Sequence, residues 1–193
     1  MLSIDRRLVV SSVTVLSLLC MVQVDALAQR WSVGSNVVDW FNLGTLNVES
    51  SVALARHCSF NAGVRFNPWT FNHGDESRQF ENRKRCCYAG VRYWPWHIYS
   101  GWWTALQLQY QEYNRAGIFN CRPEEGDAWG VALSAGYTLM VHKSVNIEFG
   151  VGAWTGSTTY TAYSCPYCGD VLEQGTRFFF WPNNLMVSLV YIL

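Results

Sequence analysis

Large apolar residues alternate with small or polar residues along almost the whole chain, and this two-residue period constrains the fold more than any other feature. Between Trp102 and Tyr113, apolar side chains such as Leu106 alternate with a row of glutamines that includes Gln107 and Gln109. Successive side chains of a β-strand point to opposite faces, so this period predicts a strand with one apolar face. No segment keeps the 3.6-residue period of an amphipathic helix over several turns.

Eight segments carry this alternation, and most of them are about 9–13 residues long, enough to cross a bilayer when tilted. The predicted strands are Ser32–Trp40, Leu46–Leu54, Phe60–Asn67, Ala89–Tyr93, Trp102–Tyr113, Trp129–Val141, Val145–Ala153 and Trp181–Leu193. The sequence therefore predicts an all-β fold, an eight-stranded antiparallel up-and-down β-barrel.

The connections between these strands alternate in length. Short turns are predicted near Arg56-His57, Pro95–Ser100 and His142-Lys143. Longer loops are predicted near Phe71–Arg85, Arg115–Asp127 and Gly156–Phe179, and the first connection, Phe41–Thr45, is short although it lies on the long-loop side. Short turns at one end and long loops at the other are typical of outer-membrane barrels, with both termini on the periplasmic side.

The composition of the polar face distinguishes two orientations of such a barrel. A soluble barrel places its aliphatic face inside and covers its exterior with charge, whereas a membrane barrel turns the aliphatic face toward lipid. Here the polar face consists mainly of Gly, Ala, Ser, Asn and Gln, and only 15% of the whole chain is charged. The aliphatic face is therefore expected to point outward, which makes the predicted barrel a transmembrane one.

Four charged residues interrupt the polar face, namely Glu49, Arg65, Arg92 and Glu148. Their charges sum to zero, and unpaired buried charge is costly, so we expect two ion pairs or one network inside the barrel. An eight-stranded barrel has room for side chains and not for a water channel. Structural filling of the lumen is favoured over a gated polar path, and narrow passage of a small solute remains the alternative.

The N-terminus has the features of a cleaved export signal. Arg6 and Arg7 precede an apolar stretch, and Ala26-Leu27-Ala28 fits a cleavage site before Gln29. We therefore assign residues 1–28 to a signal peptide and residues 29–193 to an outer-membrane barrel domain. The net charge is zero and no basic patch is present, so nucleic acid is not expected as a partner.

Cysteines are expected in the outer loops, where an exported protein can form disulfides. The favoured interpretation of Cys165-Pro-Tyr-Cys168 is a disulfide within the last loop, and redox activity is a weaker alternative. Cys86 and Cys87 are predicted at the outer end of a strand and Cys121 in an outer loop. One of the pair can bridge to Cys121, or these residues can complete a zinc site with the Cys-x-x-Cys. No metal and no cofactor is assigned.

One loop sequence, His-Gly-Asp-Glu-Ser, contains residue types used in acyl transfer, with His73 and Ser77 as the candidates. Catalytic groups are recognised by geometry rather than by proximity in sequence. A polar loop tip accounts for the same letters, so an outer-membrane lipid-modifying enzyme is kept only as an alternative. The favoured prediction is a protein without enzymatic activity.

Several blocks of the sequence resemble a family of small outer-membrane β-barrel proteins from Bacteroides-type Gram-negative bacteria that carry a domain of unknown function. The blocks, in chain order, are NVVDWFNLGTLNVESSVAL (Asn36–Leu54), RFNPW (Arg65–Trp69), VRYWPW (Val91–Trp96), QYQEYN (Gln109–Asn114), SAGYTL (Ser134–Leu139), VNIEFGVG (Val145–Gly152) and the final CPYC…SLVYIL. The last strand departs from the pattern, because FFFWPNN stands where the resemblance leads us to expect a Phe-Gly-Pro-Thr-Lys-like segment.

This resemblance implies an outer-membrane location and genes that often sit near surface-fimbria components, and it implies no catalytic residue. The expected partners are outer-membrane lipid and a surface or fimbrial protein. The function predicted from the sequence is a non-enzymatic role in surface interaction or assembly, carried by the cysteine-containing outer loops over a plugged polar lumen.

Overall fold

The computed structural model describes residues 31–71, 80–117, 122–164, 170–182 and 185–193. In these ranges the strands are β1 (Trp31–Asn36), β2 (Leu46–Ala55), β3 (Cys58–Asn67), β4 (Thr70–Phe71), β5 (Phe80–Tyr93), β6 (Gly101–Ala116), β7 (Glu124–His142), β8 (Val145–Tyr163), β9 (Val171–Trp181) and β10 (Met186–Ile192). One short helix, α1 (Val37–Phe41), follows β1. Among the described residues there is no helix with the length and hydropathy needed to cross a bilayer.

The strands close into a ring of antiparallel neighbours. Strands β1, β2, β3, β5, β6, β7 and β8 pair in that order, and β10 pairs with both β8 and β1 to close the circle. β9 continues the position of β10, and β4 adds two residues beside β5. The ring therefore has eight strand positions, and the predicted all-β, antiparallel up-and-down architecture is confirmed.

The first strand is shorter than predicted, because Ser32–Trp40 is not continuous. The side chain of Asn36 accepts a hydrogen bond from the backbone N–H of Val38 at 3.2 Å and so caps α1. The side-chain amide of Asn47 on β2 donates to the backbone carbonyl of Asn36 at 2.8 Å. This side-chain hydrogen bond stands where a backbone hydrogen bond between β1 and β2 would otherwise continue the pairing. The chain consequently leaves the ring wall at Asn36 and turns into a helix.

The last strand is also not continuous, because Trp181–Leu193 contains a break between β9 and β10. Trp154 on β8 pairs with Trp181, and Gly150 on β8 pairs with Met186. Four steps on β8 thus face five steps on the other strand, and Pro182 within the break has no N–H to donate. The additional residue reverses which positions point inward, from odd-numbered residues on β9 to even-numbered residues on β10. Phe179 and Met186 therefore both face the interior.

Four strands, β5, β7, β8 and β9, extend much farther than the alternation predicted. β5 begins at Phe80, β7 begins at Glu124, β8 ends at Tyr163 and β9 begins at Val171. Part of the predicted loops Phe71–Arg85 and Arg115–Asp127, and most of the predicted loop Gly156–Phe179, is therefore strand. The extension of β8 is rich in Thr and Tyr, which favour extended backbone. It lacks the contrast between apolar and polar faces on which a prediction from periodicity depends.

Large apolar side chains point outward from the lower part of the ring, nearest the turns at residues 56–57, 94–100 and 143–144. Leu108 is 70% exposed and Leu133 is 63% exposed, whereas Gln107 and Gln109, on either side of Leu108, are buried. We call this outward surface the apolar belt, and its members include Val48, Val64, Val91, Leu106, Leu108, Val131, Leu133, Phe149, Val151 and Leu189. The expected orientation, with the aliphatic face outward, is confirmed.

The belt ends at one row of paired residues, Cys87, Tyr110 and Trp129. In the next outward-facing row, Arg85 pairs with Glu112, which pairs with Asp127. The parts of β5–β9 beyond this boundary row, residues 80–86, 111–116, 124–128, 158–163 and 171–177, are called the loop-end sheet. β1 does not extend beside it, and β2 and β3 reach only its lowest rows, where Phe66 pairs with Arg85 and Asn67 with Lys84. Among the described residues, the upper part of the molecule is therefore an open sheet and not a ring.

Candidate functional site

The interior at the turn end is closed by three aromatic side chains, Trp94, Tyr99 and Trp103. Trp94 is fully buried, meets Tyr99 edge-on at 5.7 Å between ring centroids, and lies 6.4 Å from Trp103. Its indole N–H donates to Ser59 Oγ at 3.1 Å. The sequence predicted only a turn over Pro95–Ser100, so this closure was not foreseen.

Backbone conformation and small residues make this aromatic closure fit. Tyr99 has a φ of 60° and Gly101 has a φ of 76°, a region that ordinary L-residues rarely adopt. These two residues turn the 94–100 segment back into β6. The ring of Trp103 lies against Gly136 and Gly150, where an added Cβ would come within 2.5 Å and 2.9 Å of it.

An ion triad lies next to this closure. Arg92 donates through Nη1 to Glu148 Oε2 at 2.9 Å and through Nη2 to Glu49 Oε1 at 2.8 Å. The side chains of Arg92 and Glu148 are each only 2% exposed. Thr138 donates to the second oxygen of Glu148 at 3.2 Å, and the guanidinium stacks 4.3 Å from the ring of Trp103. These partners offset the cost of burying the charges, although Nε of Arg92 has no hydrogen-bond partner among the described residues.

The fourth predicted lumenal charge, Arg65, does not join the triad. Its Nε lies 3.1 Å from Asp39 Oδ2, and its guanidinium stands 5.1 Å from the ring of Tyr88. Asp39 lies on α1 and accepts a hydrogen bond from Asn36 at 3.2 Å. The sequence did not predict this partner because Asp39 was assigned to a strand, and the Asn-x-x-Asp spacing after β1 was the only signal.

A cavity of about 20 Å³ separates the triad from the Arg65–Asp39 pair. Glu49, Arg65, Tyr88 and Arg92 are among the residues that line it. The volume suits about one ordered water, which needs polar partners of this kind. The interior is therefore filled by side chains, and the described residues enclose no open channel at this level.

Asn61 and Gln107 extend the polar interior above the triad. Both are buried, and both atoms of the Asn61 amide, together with Nε2 of Gln107, have no hydrogen-bond partner among the described residues. Buried amides of folded proteins are satisfied either by protein groups or by ordered water. The described residues therefore leave these amide groups unsatisfied inside the ring.

A second aromatic cluster closes the interior toward the loop end. Trp154 is fully buried, with its ring centroid 4.6 Å from Phe179 and 5.4 Å from Trp181. Phe179 and Trp181 stack at 4.4 Å, and Tyr113 belongs to the same cluster. The inward turn of these two β9 residues depends on the break after Trp181.

Beyond this cluster, one carboxylate lies between two guanidinium groups. Glu124 Oε1 is 3.0 Å from Arg115 Nη2 and 2.6 Å from Arg177 Nη2, and it accepts a hydrogen bond from the hydroxyl of Tyr113 at 2.7 Å. Burial raises the pKa of Tyr113, so its hydroxyl keeps its proton for that hydrogen bond. These contacts tie β6, β7 and β9 together inside the loop-end sheet.

Two further tyrosines of the loop-end sheet donate to carboxylates on neighbouring strands. Tyr160 donates to Glu173 at 2.5 Å, and Tyr163 donates to Glu125. In each case the hydrogen bond to the carboxylate raises the pKa of the tyrosine, since the phenolate would lose that bond and repel the anion. The sheet is thus held by polar cross-strand contacts rather than by an apolar core.

The predicted cysteine and acyl-transfer sites are only partly within the described residues. Cys86 faces the interior and is buried, whereas Cys87 faces outward and is exposed, and neither is bonded to another described cysteine. Both lie in the middle of β5 rather than at its outer end, because β5 begins at Phe80. Cys121, Cys165 and Cys168 lie outside the described residues, as do His73 and Ser77, the residues of the alternative catalytic prediction.

Metal ligands are not clustered in the part of the chain that the structure describes, where no group of three or more His, Cys, Asp or Glu side chains is arranged for an ion. The zinc alternative rested on Cys86, Cys87 and Cys121 with the Cys165–Cys168 pair, and three of those five residues are not described. The disulfide within Cys165–Cys168 stays a prediction.

The fold and its interior define a class: an all-β protein whose antiparallel strands close into a ring around a filled, charged interior, with an apolar exterior. Within this class, the chain belongs to the family described as "Protein of unknown function (DUF3575)", whose model matches residues 13–193. The expected membership in a family with a domain of unknown function is therefore confirmed. No curated protein and no solved structure matches the chain.

Proposed function

We propose that this protein is a small, non-enzymatic outer-membrane β-barrel whose loop end serves surface interaction or assembly. The apolar belt is the observation that carries the proposal. The exterior exposes Leu108 and Leu133 by more than 60% each, and Arg92 and Glu148 are buried behind it. A soluble protein has the opposite distribution, with apolar side chains inside and charged side chains outside.

The height of the apolar belt supports a bilayer as its surroundings. On β6 the outward side chains from Trp102 to Tyr110 are apolar apart from Thr104. Eight residue steps in a strand tilted by roughly 40° span about 20 Å along the ring axis, close to the roughly 25 Å band of outer-membrane barrels. Trp102 and Tyr110 stand at the two edges, where aromatic side chains favour the membrane interface.

Export completes the proposed location. Removal of residues 1–28 as a signal peptide would leave a chain beginning at Gln29, two residues before β1. The turn end, with both ends of the mature chain, would then face the periplasm, and the loop-end sheet would stand outside the cell. Outer-membrane lipid would contact the belt.

A filled interior favours a surface role over solute passage. The aromatic closure around Trp94 lies on the turn side of the triad and the one around Trp154 lies toward the loop end, and both of these indoles are fully buried. The loop-end sheet and the segments 72–79, 118–121 and 165–169, which the sequence predicts to be loops, would therefore present the surface that a partner recognises. A surface or fimbrial protein is the partner that we propose.

Location is tested by expressing the full chain in a Gram-negative host and separating inner and outer membranes. We expect a product beginning at Gln29 in the outer-membrane fraction, with an electrophoretic mobility that changes on heating because folded barrels resist detergent. Recovery of the folded protein in the soluble fraction, with no mobility change on heating, would refute the location.

The surface role is tested separately by shortening one loop. Deletion of residues 73–78 should leave the heat-dependent mobility unchanged and abolish crosslinking to the partner on intact cells. The control removes the whole triad inside the ring with Glu49→Gln/Arg92→Met/Glu148→Gln, which leaves no unpaired charge there. A larger loss of partner capture in this variant at unchanged folding would show that the interior, and not the loop, carries the function.

A further inference from the structure

The outward face of the loop-end sheet forms a trough with a volume of about 640 Å³. Its lining includes Arg83 and Arg85 from β5, Glu112 from β6, and Glu125 and Asp127 from β7. All five alternate with inward-facing neighbours, so they project from the same face of the sheet.

The strand register arranges these charges in an ordered row. Arg85 pairs with Glu112, Glu112 with Asp127, and Asp127 with Thr159 on β8. Neighbouring strands are about 4.8 Å apart, so this row extends about 14 Å from the basic strand to the hydroxyl side chain. A ligand lying across the strands meets cations first, then carboxylates and then hydroxyl groups.

The two guanidinium groups are available to an anion. Arg83 and Arg85 are exposed, and neither forms an ion pair with a carboxylate among the described residues. Arg85 instead stands 5.9 Å from the ring of Phe66, which holds it at the edge of the trough. Two adjacent arginines on one strand face form a fork suited to phosphate oxygens.

The carboxylates beside them are held in place as hydrogen-bond acceptors. The hydroxyl of Tyr110 lies 3.1 Å from Asp127 Oδ1 and 3.4 Å from Glu112 Oε1, and its single proton is donated to one of these two carboxylates at a time. Ionised carboxylates only accept hydrogen bonds, so the ligand group above them must donate hydrogen bonds and cannot be an anion. Sugar hydroxyl groups meet this requirement, whereas the acyl ester groups of a simple phospholipid do not.

The trough begins one outward-facing row above the boundary row of Cys87, Tyr110 and Trp129. If the apolar belt lies in the outer membrane, as the proposed function holds, this trough lies at the depth of the lipid headgroups in the outer leaflet. The inference that follows therefore rests on the proposed location.

We propose that the trough binds the phosphorylated sugar headgroup of an outer-leaflet glycolipid. Arg83 and Arg85 bind the phosphate, and the sugar hydroxyl groups donate to Glu112 and Asp127. The lipid tails of the same molecule continue downward along the apolar belt. The trough thus anchors the barrel to one class of lipid and fixes the loop-end sheet relative to the membrane surface.

Retention of lipid by the purified protein tests the proposal. The full mature chain in detergent micelles is titrated with a bisphosphorylated acylated glucosamine disaccharide, with phosphatidic acid, or with inorganic phosphate, and bound species are measured by native mass spectrometry. We expect tight retention of the disaccharide lipid, weaker retention of phosphatidic acid and none of inorganic phosphate. Equal retention of phosphatidic acid would overturn sugar recognition.

Two double variants separate the roles within the trough. Arg83→Gln/Arg85→Gln should lower retention of the disaccharide lipid about tenfold or more, because charge-assisted contacts to phosphate are lost. Glu112→Gln/Asp127→Asn should reduce its retention toward that of phosphatidic acid. The matched control, Arg56→Gln/Lys143→Gln, removes two positive charges at the turn end and should change nothing.

Unchanged retention in the arginine variant, or an equal loss in the control, would overturn the proposal. Its failure is distinguishable from failure of the proposed location. A protein that fractionates with the outer membrane and shows the heat-dependent mobility, yet retains no disaccharide lipid, refutes the trough alone.

Discussion

The two halves of the molecule are built on the same strands but follow opposite rules. Below the boundary row of Cys87, Tyr110 and Trp129, the outward face is apolar and the interior contains the triad around Arg92. Above it, the outward face has charges such as Arg85 and Glu112, and the sheet is open on one side. A single strand such as β6 therefore has an apolar outward face in its lower part and a charged one in its upper part. The change falls between two successive outward-facing residues, Tyr110 and Glu112.

This difference shows where stability should reside. The lower half is a closed ring in which every strand position has two neighbours and charge is buried. The upper half is held by exposed or half-buried pairs such as Tyr160 with Glu173. We therefore expect substitutions in the lower half to affect unfolding strongly and substitutions in the upper half to affect it weakly.

The largest effect is expected from Arg92→Gln. It leaves Glu49 and Glu148 close together with no cation, and removing one partner from a buried pair costs about 3–5 kcal/mol. Denaturant unfolding of the refolded protein in micelles measures the loss. The triple variant Glu49→Gln/Arg92→Met/Glu148→Gln should recover much of the stability, and equal instability in both variants would contradict a charge effect.

Trp94→Ala tests the closure at the turn end. It removes a fully buried indole that contacts Tyr99 and Trp103, and such truncations cost about 3–5 kcal/mol, with the lower value expected if Trp103 relaxes into the space. Thermal unfolding measures the loss. Trp96→Ala, which truncates an exposed indole on the same segment, is the control and should stay within about 0.5 kcal/mol.

A matched pair on β6 tests the boundary between the two halves. Leu108→Arg places a charge in the apolar belt, whereas Asn114→Arg places one on the same face above the boundary row. If lipid surrounds the belt, the first costs about 2–4 kcal/mol in a bilayer and the second about 0–0.5 kcal/mol. Unfolding in lipid vesicles compares them, and equal costs would remove the boundary.

A smaller effect is expected for Glu124→Gln. This change leaves Arg115 and Arg177 without the carboxylate that they share. Both arginine side chains are more than a third exposed to solvent. Screening by solvent limits the loss to about 1 kcal/mol. Raised salt should reduce the difference from the unchanged protein, and a loss as large as that of Arg92→Gln would contradict the proposed division.

The smallest effect is a loss of stability in alkali. The pKa values of Tyr160 and Tyr163 are raised by their carboxylate partners, so both tyrosines favour the protonated state in the folded protein. Their contribution is present below the ordinary tyrosine pKa near 10 and is lost as pH rises through the raised values. Absorbance of tyrosinate follows the titration, and Tyr160→Phe/Tyr163→Phe should shrink the late phase by the share of these two residues, while Tyr113 still titrates late.

Much of the lower half was predictable because alternation is a local property. Leu106 and Gln107 occupy opposite faces wherever the strand lies, so the composition of the two faces already indicated which one is inside. The charges Glu49, Arg92 and Glu148 could be placed at the interior by the same count. Their direct contact is seen only once the ring closes.

The upper half was predicted poorly for a reason that is also physical. Residues 155–163 have strand-forming side chains without an apolar face, so periodicity classified them as loop. β-strand pairing with β7 and β9 is what holds them extended. Such pairing is a long-range contact and leaves no trace in a single stretch of sequence.

The amino-acid sequence by itself determined the class of fold, the number of strand positions and the face that carries each side chain, because these follow from a two-residue period. Only the tertiary structure decided that Arg65 binds Asp39, that Trp94 closes the interior and that β9 turns Phe179 inward. Each of these depends on a departure from regular strand geometry, at α1, at Tyr99 or at the break after Trp181. A two-residue period in the sequence describes regular strands only, so it does not predict where a strand is interrupted.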